Sequence, residues 1–379
     1  MTLRKVNLVI LVLLAVAFLI IVQRNLFNLS DFLRKENPDA IVVLPFESKL
    51  SQDSGLDSGL DQALDSGLDS GARSGVQIPV LITAAEERLG AAVTAINSIF
   101  SNTKANVVFT IVALNQTVRQ LRTWMSEPKL KRIRYKIVVF DPELLKGKSL
   151  HDPARAQASK PLSFVRFYLP LFVPDAEKVI YVDDDIIVQG DIQELFQVHI
   201  KPGQTAAFSD DCDSTAKGIV RGSSHQNTYL GFLDFRKQSI KALGLRANTC
   251  SFSPGVIVAN MSEWKNHNIT EKLEQWLELD TRENLFSKTS GDSVTPPLLL
   301  VFYRRHANIT PIWHIRHLGS LGAGNRFSSG FLRAAKLLHW DGHYKPWGHG
   351  AAFTDLWDQW YIPDPTGSFH RIRRHDDRL

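Results

Sequence analysis

The run Val179-Ile180-Tyr181-Val182 leads directly into Asp183-Asp184-Asp185 and then returns to Ile186-Ile187-Val188. An unbroken apolar, β-rich stretch predicts a strand buried on both faces, not a half-exposed one. Carboxylates at the end of such a strand lie at the rim of a sheet, where a hard cation can be held. In an extended segment alternate side chains share a face, so Asp183 and Asp185 point together while Asp184 points elsewhere. The pattern fits a divalent metal bridging a nucleoside diphosphate. It also fits two plainer readings, a turn with a helix N-cap at Asp191 and a calcium site.

The chain around this motif alternates in the manner of a covered parallel sheet. Residues 78–84, 107–114, 135–140 and 178–182 read as strands, with helical patterns at 90–100, 118–125 and 163–172 between them. Further strands are expected at 205–209 and 255–260, and helices at 261–279 and 295–305. Fully apolar strands separated by helices predict a mainly parallel sheet covered on both faces, with ligands beyond the C-terminal strand ends. Near the C-terminus stands His339-Trp340-Asp341-Gly342-His343-Tyr344-Lys345-Pro346-Trp347. Here His339 is a plausible third metal ligand, Gly342 permits close backbone approach, and Lys345 offers a point charge. The alternative is a surface turn with aromatic packing.

The length of 379 residues and 44% hydrophobic composition allow one large domain or two ordinary ones. The net charge of +5 reads as diffuse, with Arg371, Arg373 and Arg374 as its densest cluster, which argues against a nucleic-acid partner. Arg4 and Lys5 precede an apolar run over residues 6–22. That run reads as a transmembrane signal anchor leaving residues 1–5 cytosolic and the rest lumenal. A signal peptide cleaved after Ala15-Val16-Ala17 is the competing reading. Residues 23–77, with repeated Asp-Ser-Gly-Leu units, read as a flexible low-complexity stem, or as a site for glycosaminoglycan attachment at the Ser-Gly pairs. Asn115, Asn260, Asn268 and Asn308 head glycosylation sequons. The two cysteines, Cys212 and Cys250, form a natural disulfide pair in an oxidising lumen, or remain buried thiols.

The two motif segments together resemble the retaining glycosyltransferases of family 8. Four landmarks carry the resemblance in order: Ala84-Ala85-Glu86-Glu87, Ser163-Phe164-Val165-Arg166-Phe167-Tyr168-Leu169-Pro170, the three aspartates, and His339-x-x-Gly342-x-x-Lys345-Pro346-Trp347. The resemblance covers residues 78–350 and leaves 351–379 as a C-terminal extension packed on the domain. It implies an α/β fold of the GT-A type, with a nucleotide-sugar-binding, mainly parallel, doubly covered sheet. It further implies a Golgi-membrane, single-pass type II protein acting on a UDP-sugar and a carbohydrate or glycoconjugate acceptor. By the same resemblance Asp183, Asp185 and His339 would ligate Mn2+. Ala84, Glu86, Arg166, Asp184, Gly342 and Lys345 would bind the donor, with Glu86 toward the uracil. Asp183, Asp185, Lys345 and Asp210 would serve catalysis, Asp210 near the acceptor. Leu89 stands where the family carries an aromatic, Ser253 where it carries a turn Asn, and residues 291–297 where it carries Asp-Gln-Asp. These departures open a second reading, a nucleotide-sugar-binding protein with little or no transfer activity that partners another transferase.

Overall fold

The computed structural model describes residues 75–146, 160–211, 228–287 and 293–373. The expected anchor at 6–22 and nearly all of the stem lie outside these residues. Among the described residues no helix is long and apolar enough to cross a membrane.

The strands are β1 (Gln77–Ala84), β2 (Asn106–Ala113), β3 (Arg134–Val139), β4 (Lys178–Val182), β5 (Ile186–Val188), β6 (Ala206–Asp210), β7 (Phe252–Asn260), β8 (His306–Asn308) and β9 (Leu337–His339). The helices are α1 (Leu89–Ser101), α2 (Val118–Met125), α3 (Leu169–Phe172), α4 (Ile192–Phe196), α5 (Gln238–Ala242), α6 (Met261–Asn266), α7 (Ile269–Glu283), α8 (Thr295–Val301), α9 (Ser329–Ala334) and α10 (Thr354–Asp358). Seven strands form one sheet in the order β3-β2-β1-β4-β7-β6-β8, and β5 pairs with β9 in a small second sheet. β1 runs parallel to β2 and β4, β2 to β3, and β6 to β8. β7 runs antiparallel to both of its neighbours, so the sheet is mixed and mostly parallel.

Both faces of the sheet are covered, and β1 shows how. Ile78, Val80, Ile82 and Ala84 enter one apolar cluster with α1, while Leu81 enters the other with Val112 and Phe140. This is the period-two alternation of a strand whose two faces are both core.

Three predicted helices are interrupted. Residues 161–167 form a 3-10 helix, and only 169–172 turn α-helical. The stretch 261–279 splits into α6 and α7 because Asn268 takes a left-handed φ of 48° between them. α8 stops at Val301 and not at 305. The charge pattern also differs from the sequence reading. Lys129, Lys131, Arg132, Arg134 and Lys136 form a second and larger cluster than the C-terminal arginines, on the approach to β3 and along it. β3 is an edge strand, and cations there discourage pairing with another chain.

The segment after 351 packs on α1 and α2. Trp124 Nε1–H donates to Ile362 O at 3.2 Å, and Asn97 Nδ2–H to Trp360 O at 2.8 Å. Phe369 sits among Trp124, Tyr361 and Trp347. Its ring fills the space beside Gly90, where a methyl group would clash with Phe369 Cε1. Gly90→Ala is expected to cost about 1–3 kcal/mol through overpacking. In a Phe369→Ala background the same change should cost far less, because the clash is gone and Ala favours helix. Thermal unfolding of the four proteins checks this; equal costs in both backgrounds would contradict it.

Candidate active site

Strand pairing assembles the site from segments far apart in the chain. β4 ends at Val182, and the Asp183 N–H donates to Gly255 O of β7 at 2.9 Å. The chain then enters β5, whose antiparallel pairing with β9 sets Ile186 opposite His339. Trp340 N–H locks this junction by donating to Asp185 O at 2.9 Å. His339 Nε2 therefore lies 2.9 Å from Asp185 Oδ1 and 3.8 Å from Asp183 Oδ2. One ligand atom from each of the three residues lies within 4.8 Å of the others.

The remaining carboxylate oxygens are already engaged. Asp183 Oδ1 accepts from Tyr181 OH at 2.8 Å and also from Arg166. Asp185 Oδ2 faces Lys345 Nζ at 2.5 Å and Arg88 Nη2 at 3.0 Å. Asp184 turns away from the pair and meets Arg88. Asp183 Oδ2, Asp185 Oδ1 and His339 Nε2 are thus left facing one another. Two carboxylates and an imidazole form a donor set suited to a hard-to-borderline divalent cation such as Mn2+, so the residues fit the implied metal. Gly255 keeps the space clear. A methyl group there would stand 2.5 Å from His339 Cε1 and 2.9 Å from Asp183 Oδ2.

The triad opens into a cleft of about 280 Å³. Arg88, Lys160, Arg166 and Lys345 line it, together with Thr83, Ser253 and Thr295. Arg88 also lies over the Trp347 ring, 5.6 Å from its centroid. Gly342 reaches the cleft with φ at +107°, a conformation that favours glycine.

Burial and charge drive neighbouring groups in opposite directions. Burial pushes Asp184 up to about 6, against the pull of Arg88. Burial acts the same way on Asp185, but Arg88, His339 and Lys345 outweigh it and hold that carboxyl well below the usual range. Burial would lower His339, yet Asp185 and Asp183 raise it above 6.5. Burial dominates at His314, which is pushed well below 6.5.

Not every residue singled out by sequence reaches the cleft. Asp183, Asp184, Asp185, Arg166, His339, Gly342 and Lys345 do. Ala84 points into the core, because strand alternation turns Thr83 and Ala85 toward the cleft instead. Glu86 is exposed on a 3-10 turn and does not line the cleft. Asp210 ends β6 and faces His306 Nε2 at 3.2 Å, away from the lining. Leu89 is fully buried. Asp191 caps α4 by accepting from Gln193 N–H at 3.0 Å, so the N-cap reading and the acidic cluster coexist. Cys250 is disulfide-bonded, and Cys212 lies outside the described residues, as does Asp292. Asn115, Asn268 and Asn308 are exposed, whereas Asn260 is half-buried and caps α6 by accepting from Glu263 N–H at 3.0 Å.

Sequence reading missed Arg88, Tyr181, Gly255 and His314. Tyr181 was within reach, since a residue two before Asp183 on a strand shares its face. The other three depend on long-range pairing and left no local signal.

The family model described as glycosyl transferase family 8 matches residues 79–351. The chain belongs to glycosyl transferase family 8. Glycosyltransferase 8 domain-containing protein 1 of Danio rerio is 58% identical over 379 residues, covering 99% of each chain. Its Homo sapiens counterpart is 51% identical over 379 residues, covering 100% of this chain and 99% of that one. Among solved structures, the galactosyltransferase LgtC with donor and acceptor sugar analogs has a TM-score of 0.55 at 14% identity. That match covers 77% of this chain and 100% of LgtC. The fold of this family 8 chain is therefore GT-A-like.

The raised His339 makes a pH prediction for cation-free protein. Its contribution to stability is fully present below pH 6.5 and is lost as pH rises through the folded value. In the presence of chelator, the gap in Tm between the unaltered protein and His339→Gln is expected to be widest below pH 6.5 and to narrow above it. A gap that widens with pH would contradict the charge assignment.

Proposed function

We propose that this chain is a retaining glycosyltransferase that moves a sugar from a UDP-sugar to a carbohydrate or glycoconjugate acceptor with Mn2+ assistance. The observation that carries this reading is the convergence of Asp183, Asp185 and His339 in a cleft lined by Arg88, Lys160, Arg166 and Lys345. A bound Mn2+ supplies Lewis acidity toward the departing diphosphate.

The side chains of this chain do the rest. Arg166 is fixed by Asp183 and lies over Tyr181, 5.0 Å from the ring centroid, so it presents an oriented positive group to an incoming donor. Lys345 Nζ is held by Asp185 and by Trp340 O at 2.9 Å, which preorganises its charge for the diphosphate that develops as the sugar–phosphate bond breaks. Gly342 allows the backbone to approach phosphate oxygens closely. The described carboxylates that line the cleft are all engaged: Asp183 by Arg166, Asp184 by Arg88, Asp185 by Lys345, and Asp341 by His317 at 3.3 Å. None of them stands as an unpaired carboxylate in this arrangement. This supports same-face attack by the acceptor hydroxyl, with the leaving diphosphate taking its proton. Isolation of a covalent glycosyl adduct on the protein would contradict that route.

The proposal extends to location. Residues 6–22 anchor a type II Golgi-membrane protein whose catalytic unit is lumenal, with 23–77 as its stem and Cys212 bridged to Cys250. Disulfide-bonded Cys250 and the exposed sequon residues Asn115, Asn268 and Asn308 support it. Intact Golgi vesicles should protect the glycosylated bulk of the chain from added protease; cleavage without detergent would contradict lumenal placement.

Full-length protein incubated with Mn2+ and a panel of UDP-sugars should release UDP from one donor. Asp183→Asn or Asp185→Asn is expected to lower that release by about 10³-fold, and Lys345→Ala by about 10²–10³-fold. Silence across the panel with tight UDP·Mn2+ binding would favour the binding-partner reading. No binding would overturn the site.

A further inference from the structure

His339 has two ring nitrogens, and the site uses both. Nε2 faces Asp185 and Asp183, while Nδ1 lies 2.8 Å from Nε2 of His314. The two imidazoles are nearly coplanar, at 13°, with centroids 5.1 Å apart. That separation is too long for rings stacked face to face. It matches the 2.8 Å bond plus a ring radius at either end, so the rings meet edge to edge with the N–H aligned on its acceptor. Both residues are buried, at 3% exposure each.

His314 is delivered by a pairing that lies outside the named strands. Ile315 bridges Leu338 in parallel, with Ile315 N–H donating to Leu337 O at 2.9 Å and His339 N–H to Ile315 O at 2.8 Å. Two backbone bonds from the segment 313–318 therefore fix the His314 ring against His339. The other nitrogen of His314, Nδ1, is buried with no hydrogen-bond partner among the described residues. Leaving a buried nitrogen without a partner is unfavourable. The same fold therefore keeps a polar ring in a buried position where, among the described residues, its hydrogen-bond partner is His339 Nδ1.

We propose that His314 is a positioning residue that accepts the Nδ1–H of His339, so that Nε2, which donates to Asp185 in the cation-free protein, is the nitrogen left to ligate a cation between Asp183 and Asp185 when that proton is displaced. An imidazole that ligates through Nε2 must carry its proton on Nδ1, and an acceptor fixed at Nδ1 selects that tautomer and the ring angle together. Asp183 and Asp185 have their own orienting partners in Arg166, Tyr181, Arg88 and Lys345. His314 completes the set for the third ligand. The inference rests on the reading of Asp183, Asp185 and His339 as cation ligands.

The test titrates Mn2+ into full-length protein with UDP present and reads free Mn2+ by electron paramagnetic resonance. His314→Phe keeps a planar ring but offers no acceptor, and is expected to weaken Mn2+ binding by about 10–100-fold. His314→Gln brings a carboxamide oxygen to about the reach of Nε2 and should stay within about threefold of the unaltered protein if the acceptor is what matters. The Tm of each protein in chelator confirms folding. His314→Leu replaces the Phe variant if that one fails to fold. Unchanged affinity in folded His314→Phe or His314→Leu would overturn the assignment. Equal loss in the Phe and Gln variants would overturn it too, because ring volume and not the acceptor would then govern. If the unaltered protein binds no Mn2+, the cation reading itself fails, whereas binding that is indifferent to residue 314 removes this inference alone.

Discussion

Three adjacent carboxylates cannot share a buried sheet rim unless positive charge meets them there, since like charges at such distances repel strongly in a poorly solvated site. The fold meets this constraint from four directions. Arg88 comes from the turn after β1, Arg166 from the 3-10 segment before α3, His339 from the end of β9, and Lys345 from the loop beyond it. Arg166 takes Asp183 Oδ1, Arg88 spans Asp184 Oδ1 and Asp185 Oδ2, and Lys345 shares that last oxygen. The result is a site whose outward oxygens are fixed and whose inward oxygens converge with an imidazole. Removing any one partner would leave a buried carboxylate under-compensated, which gives these pairs an importance that exposed ion pairs lack.

The same constraint links the core to the chemistry. β7 passes beneath the triad and must be glycine at 255 to do so. Its antiparallel pairing with β4 aligns Gly255 with Asp183. The β5–β9 pair holds His339 against Asp185, and the segment 313–318 backs β9 with His314. The C-terminal segment closes over this from the far side: Ile372 N–H donates to Trp347 O at 2.8 Å, and Trp347 in turn lies against Arg88. The distribution of packing thus explains why the extension beyond the family match is bound to the domain.

Much of this was legible in the sequence where the information is local. The strand at 178–182 and the helix at 118–125 match the observed bounds, because unbroken apolar runs and an amphipathic face are short-range signals. The acidic triplet and the His-x-x-Gly-x-x-Lys segment could be joined in one site by their resemblance to a family. What stayed hidden depends on contacts between distant segments. Nothing near Arg88 announces that it will cross to Asp184, 96 residues away. The reversal of β7 is equally invisible, since an apolar strand reads the same in either direction. Ala84 and Glu86 stand outside the cleft lining for a local reason: strand alternation directs Thr83 and Ala85 to the cleft, and the turn that follows leaves Glu86 in solvent.

The central claim is that Asp183, Asp185 and His339 hold one divalent cation beside a nucleoside diphosphate. A crystal of the protein grown with Mn2+ and UDP, measured at the manganese absorption edge, tests it most directly. The account predicts a single anomalous peak among Asp183 Oδ2, Asp185 Oδ1 and His339 Nε2, touching the diphosphate, with Lys345 shifted toward the phosphate oxygens. A peak elsewhere, or UDP bound in the cleft with Asp185 still closed by Arg88 and Lys345 and no peak at the triad, would contradict it.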